Sequence, residues 1–589
     1  MRIVIDLQGA QTESRIRGIG RYTLAFAQGV LRNRGEHEVL LVLSGLFPAT
    51  IDPIRAAFSG LLPPQNILIW HAPGPVQEGQ PGNSQRREVA ELLREAFLAS
   101  LQPDVVHICS LFEGYADDAV TSIGRFDTST PVSIILYDLI PLLNPQQYLK
   151  PNPAYERYYL RKIESLQRAA LYLAISDFAR LEAIDALGLA HDKVCNVSTA
   201  IEAYFQPQAL DAVAAQQCRH KFGISRPFVL YVGGADERKN LPRLLQAFAA
   251  LPEPLRAQHQ LVLVGRLSEL TLSSLRQSAQ AACLRPDELV FAGYASDADL
   301  IQLYNLCQLY VFPSWHEGFG LPALEAMACG APVIGANTTS LPEVIGLDEA
   351  LFDPFDAAAI SRKMVQALQD AALRERLRQH GLQQAKKFSW DTTAQRALRA
   401  WERLPAQPAA AAATWRHIHE RLADTYARLI KGIASIATSG GAGAASDDAL
   451  QPIAQCIERN EQTVDRCVRP SALPAQISWR IEGPFDSSYS LALVNRELAR
   501  ALSAQGHRVA LHSTEGPGDF APNPAYLLAH PDLAEMHRQS ALLAPLDAHV
   551  SSRNLYPPRV ADMASRYNFL HAYGWEESGF PLDLSLVHI

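Results

Sequence analysis

Short, continuously apolar runs alternate with amphipathic stretches along residues 1–404. The runs Arg2–Leu7, Glu38–Ser44, Ile67–Trp70, Val105–Cys109, Ser133–Tyr137 and Leu171–Ile175 predict buried strands. Tyr22–Arg32 and Arg87–Leu101, lying between them, predict helices. Strands buried on both faces are apolar throughout, so the alternation predicts βαβ units and a parallel sheet. The pattern restarts near Pro227 with strands at Phe228–Val232, Gln260–Val264, Leu289–Ala292, Leu309–Phe312 and Pro332–Gly335. Helices are expected at Leu241–Ala250, Asp297–Leu306 and Pro322–Ala328. Residues 1–206 and 207–404 therefore read as two consecutive α/β domains. Such sheets bind ligands beyond their strand C-termini, so a cleft between the two is the expected binding place.

Residues 405–475 break the pattern. Pro405, Pro408, the alanines Ala409–Ala413 and the run Gly440-Gly441-Ala442-Gly443 read as linker. Within it Trp415, Ile418, Leu422, Tyr426, Leu429, Ile433 and Ile436 recur at helical spacing and predict one amphipathic helix. Its polar face is not strongly basic, which favours a packed connector over a membrane-surface helix. From residue 476 a strand, loop, helix and strand recur: Ile477–Ile481, then Glu482–Ser488, a helix ending near Gly506, and Arg508–His512. Tyr489-Ser490-Leu491-Ala492 echoes Tyr22-Thr23-Leu24-Ala25 at the matching helix start. Residues 476–589 read as the opening of a second, related α/β module.

Composition narrows the function classes. With 53 Lys+Arg against 61 Asp+Glu the formal charge is −8, which argues against nucleic-acid binding as the main task. The eight cysteines form no CxxC pair, so reduced thiols are expected rather than a zinc site or disulfide framework. The N-terminus lacks a signal-peptide h-region, and no apolar run approaches the ~20 residues that span a bilayer. A cytoplasmic protein is expected, with peripheral contact at the inner membrane left open.

The densest chemistry lies in Ser314–Gly330, which follows a strand and opens a helix. Gly318 and Gly320 allow close backbone approach to a ligand, Pro322 suits a first helical turn, and Gly330 suits the position after the last. The free N–H groups of such a helix start favour an anion, for instance a diphosphate. Glu317 and Glu325 would repel phosphate but suit sugar and ribose hydroxyls, which donate to carboxylates. On these residues alone, an ordinary strand–turn–helix with glutamates at its positive end remains equally open.

Glu317, seven residues, then Glu325, inside PSWHEGFGLPALEAMACGAPV, resembles the signature of glycosyltransferase family 4. RGIGRY, YDLIPL, AISDFAR, YVGGADERKN, FAGYASDADL, SLPEVIG and FSWDTTA follow that family's order across most of residues 1–404. The resemblance implies the GT-B fold, two Rossmann-like domains facing across a cleft. It also implies retaining transfer of a hexose from a nucleotide diphosphate sugar, without metal or other cofactor. RGIGRYTLAFAQ with YDLIPLLNP is similar to multi-domain O-antigen and surface-polysaccharide transferases, several of them mannosyltransferases, so GDP-mannose is the expected donor. The expected acceptor is a glycan or lipid-linked glycan, with membrane or polysaccharide-assembly partners open. EGPFDSSYSLALVNRELARAL, SRNLYPPRVADM and YGWEESGFP resemble the first domain of another such module.

By the same resemblance Gly18 and Gly20 approach the donor diphosphate, and Lys239 offsets charge on the leaving nucleotide. Many relatives carry an arginine where Gly234 stands, and Arg238 is the substitute expected here. Glu317 would hold sugar hydroxyls and Glu325 the ribose. His316, Gly318, Phe319, Gly320 and Leu321 complete the expected donor loop. Tyr137 stands where many relatives have histidine, and with Asp138 is expected near the reacting sugar; its pKa near ~10 makes it a poor base. Asp297-Ala298-Asp299 has DxD form but reads as helix capping behind Ser296. Glu343, His107 and Glu113 are further candidates near the pocket or on the acceptor side. The alternative reading is a non-catalytic or donor-binding scaffold subunit; a nucleotide-sugar epimerase or hydrolase is disfavoured by the EGFGLP run.

Overall fold

The computed structural model describes residues 1–16, 18–405, 415–439, 447–468, 475–515, 518–555, 559–560 and 562–571. The chain divides into two compact units, Met1–Ala406 with Ile433–Asn460, and Gln407–Gly432 with Glu461–Ile589.

The first unit holds two parallel sheets. Strands β1 (Arg2–Asp6), β2 (Glu38–Ser44), β3 (Ile67–Trp70), β4 (Val105–Ile108), β5 (Val132–Leu136), β6 (Leu171–Ala174) and β7 (Val194–Asn196) form the first. Their order is β3-β2-β1-β4-β5-β6-β7. Ile3, Val4 and Ile5 are fully buried, as a central strand covered on both faces requires. Ile3 pairs with Val39 on one side and Val105 on the other. β1 ends in the buried carboxylate of Asp6, which Arg94 meets at 2.5 Å from the helix Ser84–Ser100. A charge this far from water needs such a partner.

The second sheet contains β8 (Phe228–Val232), β9 (Gln260–Val264), β10 (Leu289–Gly293), β11 (Leu309–Phe312), β12 (Val333–Ala336) and β13 (Leu351–Phe352). Its order is β10-β9-β8-β11-β12-β13. In both sheets the order reverses beside the first strand, and ligands bind beyond such switch points. The helix Trp390–Trp401 returns to the first sheet. Gly29 on the helix Gly18–Asn33 admits it, since a Cβ there would lie 2.8 Å from the Trp390 carbonyl oxygen. Trp401 is fully buried, and its indole N–H donates to Ser133 Oγ at 3.0 Å.

Residues 405–475 differ from expectation. Two helices are present, Trp415–Ser439 and Asp447–Val468, where the periodicity predicted one. Pro452 lies inside the second and speaks against a helix in the sequence. The second helix is also no free linker: Asn460 accepts from the His71 backbone N–H at 2.7 Å and donates to its carbonyl at 2.9 Å. In the first helix Ile418, Tyr426, Leu429 and Ile433 are buried, on the predicted stripe. The alanine run and the Gly440–Gly443 run lie outside the described residues.

The second unit contains a parallel sheet in the order Arg508–His512, Ser478–Glu482, Val550–Arg553, Tyr567–Leu570. This repeats the order β2-β1-β4-β5 of the first sheet. Ile481, Val509 and Leu511 pack with Leu502 and Leu533 on one face. Tyr573–Pro581 lies outside the described residues.

Candidate functional site

The site is assembled from loops at the strand ends of both sheets. After β8 the chain makes a 3-10 turn at Glu237–Lys239 and reverses through Asn240, which is left-handed at φ 62°. The Asn240 amide donates to the carbonyls of Pro313 (3.0 Å) and Pro354 (2.7 Å), pinning this turn to the loops after β11 and β13. The Trp315 N–H donates to the Arg238 carbonyl at 3.0 Å. These bonds present Arg238 and Lys239 to Glu317.

Glu317 is the electrostatic centre. Lys239 Nζ lies 2.6 Å from its Oε1 and Arg238 Nη1 lies 2.8 Å from its Oε2. Burial alone would raise the Glu317 pKa, but the two cations outweigh it and hold the carboxyl below its usual value. Arg238 thus stands beside Glu317. A Cβ at Gly234 would meet nothing within 4 Å.

The segment Gly318–Gly320 fits glycine for steric reasons. A Cβ on Gly318 would lie 2.6 Å from the Tyr137 carbonyl oxygen and 3.1 Å from Asp138 Cβ, both in the first half of the unit. Gly320 has φ 105°, and a Cβ there would lie 2.6 Å from Leu341 Cδ2. The helix Leu321–Ala328 starts here with no side chain capping it. Its first residues, Leu321 and Pro322, line a cavity.

This cavity of 270 Å³ is lined by Gly18, Arg21, Glu202, Leu321, Glu325 and Trp390, among others. Burial raises the Glu325 carboxyl to about 7, against the opposing hydrogen bond from the Tyr304 hydroxyl at 2.9 Å. Arg21 crosses the cleft to Asp297 at 2.8 Å, where the Tyr204 hydroxyl also donates at 2.8 Å.

Several candidates stand elsewhere than the sequence suggested. The Tyr137 hydroxyl donates to the Cys109 carbonyl at 3.0 Å, so it points into the first half rather than at the cleft. Asp138 does border the cleft; burial raises its pKa, opposed by the Ile140 N–H and by Arg238. Gly20 lies in the first turn of its helix, and a Cβ there would lie 2.3 Å from Arg15 Cα, so this glycine serves backbone packing. Gly18 faces Leu321 across the cavity, while Arg17 lies outside the described residues. Phe319 is 3 % exposed and packs edge-on against Phe388. His316 turns to Glu182, with Nε2 2.8 Å from Oε1.

His107 is a core residue between Phe26 and Trp401, and burial lowers its pKa to about 3. Glu113 accepts from the hydroxyls of Ser110 (2.9 Å) and Ser14 (3.2 Å). Glu343 accepts from the Asp177 N–H at 2.9 Å and from Asn196 at 3.2 Å, stitching the halves together. Ser296 and Asp299 form a capping box, and Asp299 also pairs with Lys221. The sequence reading did not single out Glu182, Ser176, Tyr304 or Glu202. Ser176 left a signal, as a serine opening the helix Asp177–Leu187; the others depend on which halves meet.

Residues 216–384 match the family described as Glycosyl transferases group 1. The chain is 38% identical over 405 residues to the serotype-specific mannosyltransferase WbdA of Escherichia coli, covering 69% of this chain and 48% of that protein. It is 36% identical over 245 residues to the O-antigen chain mannosyltransferase B of the same organism, covering 41% of this chain and 62% of that protein. The chain thus spans about half the length of the WbdA relatives it matches. In fold, it is similar to Anabaena HepE, solved with UDP and glucose, at TM-score 0.51 and 18% identity, covering 69% of this chain and 100% of that one. It is likewise similar to sucrose-phosphate synthase from Thermosynechococcus elongatus, at TM-score 0.51 and 20% identity, covering 69% and 99%. The chain therefore carries, in residues 216–384, a segment that matches the group 1 glycosyl transferases, and its fold is GT-B.

Proposed function

We propose that residues 1–404 transfer a hexose from a nucleotide diphosphate sugar to a hydroxyl of a growing glycan, with retention at the anomeric carbon. The observation that carries this reading is Glu317 held by Arg238 and Lys239 immediately before the uncapped helix start at Gly320. One carboxylate beside two cations and a helix dipole suits a ligand that joins sugar hydroxyls to a diphosphate. In the reaction the bond from the anomeric carbon to the diphosphate oxygen breaks and a bond to the acceptor oxygen forms. The acceptor proton leaves with the departing diphosphate. Lys239, Arg238 and the helix start stabilise the charge that develops there. Glu317 orients the sugar, Asp138 borders the reacting centre, and Glu325 accepts from the ribose hydroxyls.

GDP-mannose is the proposed donor and a glycan or lipid-linked glycan the proposed acceptor; the mannosyltransferase names of the relatives support the sugar, and the O-antigen chain named in one supports a glycan acceptor. The scheme uses no metal: Lys239 and Arg238 are the proposed partners of the diphosphate. The second unit is proposed as the opening of a related module, on the strength of its repeated strand order. The competing scaffold reading draws on Gly234 and on the engaged Tyr137 hydroxyl. Release of GDP from GDP-mannose in the presence of mannotriose, with an α-linked product by NMR, tests the transferase. GDP held without turnover, under those conditions, favours the scaffold.

Glu325 adds a pH signature. Its carboxyl ionises near about 7 in the folded protein, above the ~4.3 of an unfolded chain. Stability tied to the protonated form is full below the unfolded value and is lost as pH rises through about 7. Ribose binding needs the ionised form, so the GDP-induced rise in melting temperature should be larger at pH 8 than at pH 6. In Glu325→Gln the difference should vanish; an undiminished difference would remove Glu325 from the donor site.

A further inference from the structure

Two buried side chains at the cleft face each other rather than the cavity. Glu182 belongs to the helix Asp177–Leu187 of the first half, and His316 to the loop that leads into Glu317. Glu182 Oε1 lies 2.8 Å from His316 Nε2, with side chains 8% and 9% exposed. The other Glu182 oxygen accepts from the Leu139 N–H at 3.4 Å, directly after Asp138. The His316 carbonyl accepts from Arg238 Nη1 at 2.9 Å, the same nitrogen that reaches Glu317.

The same helix makes two more contacts across the cleft. Ser176 Oγ, which caps it, donates to the Gly318 carbonyl at 2.7 Å. The Asp177 N–H donates to Glu343 at 2.9 Å. The loop His316–Gly318 is therefore gripped on both sides of Glu317 by one helix of the opposite half.

We propose that Glu182 is a positioning residue: through His316 it sets the loop that carries Glu317, so the site is complete only when the first half is docked. This rests on the transferase reading above. The Glu182 carboxylate bonds to His316 and Leu139 rather than to Glu317, it is not among the residues lining the cavity, and the His316 ring is directed at the first half. A plain structural clamp would have the same contacts but would not act on turnover. Losing the Glu182 carboxylate frees the His316 ring, and with it the carbonyl that shares Arg238 with Glu317. The cations and the helix start stay in place, so the donor still binds while its sugar is misaligned.

The test compares wild type, Glu182→Ala, Glu182→Gln, His316→Ala and the Glu182→Ala/His316→Ala double variant in the full chain. GDP-mannose and mannotriose are the probes, and kcat, donor KM and melting temperature are the readouts. Glu182→Ala should lower kcat by about a hundredfold, the scale of an ångström-level misplacement, with donor KM nearly unchanged. Glu182→Gln keeps an acceptor oxygen at the same reach and should restore most of the rate. The double variant should be no slower than His316→Ala alone, because both act through one link. Unchanged kcat in Glu182→Ala, with or without a fall in melting temperature, overturns the proposal. So do failure of Glu182→Gln to restore the rate and a double variant whose losses multiply. Absence of turnover in wild type with GDP-, UDP- and ADP-sugars alike overturns the transferase reading, and this inference with it.

Discussion

Glu317→Gln is expected to lower transfer by about a thousandfold, an effect on the scale of losing one well-placed transition-state contact. The substitution keeps shape and hydrogen-bonding reach but removes the charge that Lys239 and Arg238 share at 2.6 and 2.8 Å. Those cations remain to meet a diphosphate, with one competing anion fewer. Nucleotide affinity should therefore hold or tighten while kcat collapses, a split that a general loss of structure cannot give. Glutamine is preferable to alanine here. Breaking a buried pair by truncation costs about 3–5 kcal/mol, because the partner charges are left uncompensated. The check is kcat and GDP affinity on the same preparation. Wild-type turnover in Glu317→Gln would remove this residue from the mechanism.

Gly318→Ala is the second large expectation. The added methyl would lie 2.6 Å from the Tyr137 carbonyl oxygen and 3.1 Å from Asp138 Cβ. The oxygen belongs to the backbone at the end of β5, so it cannot swing aside as a flexible side chain would. The methyl must push the two halves apart at the point where Glu317 meets the first sheet. Overpacking of this kind costs about 1–3 kcal/mol in stability. The cost in rate should be larger, about a hundredfold, because the displacement falls on the site itself. A melting curve and kcat, measured together, check both parts. A variant with unchanged kcat would show that closure at this point is not needed for transfer.

Most strands of both sheets were legible because parallel strands buried on two faces are apolar throughout, and that pattern has few competitors; the edge strands Val194–Asn196 and Leu351–Phe352 were not predicted, being too short to leave such a run. Gln260–Val264 and Leu309–Phe312 match residue for residue. The turn before the helix Leu321–Ala328 was legible for a related reason: glycines at 318 and 320 with Pro322 leave a local trace of the geometry they permit. Glu325, about one turn inside the helix, was reached through the same segment. What could not be read was contact between the halves. Nothing local in Glu182 says that it meets a histidine 134 residues away. Tyr137 sits at the end of the right strand, but only packing decides that its hydroxyl turns to Cys109. Gly20 looked like part of a phosphate loop, whereas its bare Cα serves the backbone at Arg15. The helix Asp447–Val468 was hidden behind Pro452 and a glycine run, since composition there spoke for linker.

The most direct test of a nucleotide-sugar cleft centred on Glu317 is a melting-temperature panel with GDP, UDP and ADP on wild type and Lys239→Ala. A ligand that binds only the native state raises the midpoint by linkage, about 2.7 kcal/mol of stability at a hundred times its Kd. The expected result is a shift with GDP alone, largely lost in Lys239→Ala, whose ammonium is 2.6 Å from Glu317. No shift with any of the three nucleotides, or a GDP shift undiminished in Lys239→Ala, would contradict a diphosphate site at this corner of the cleft.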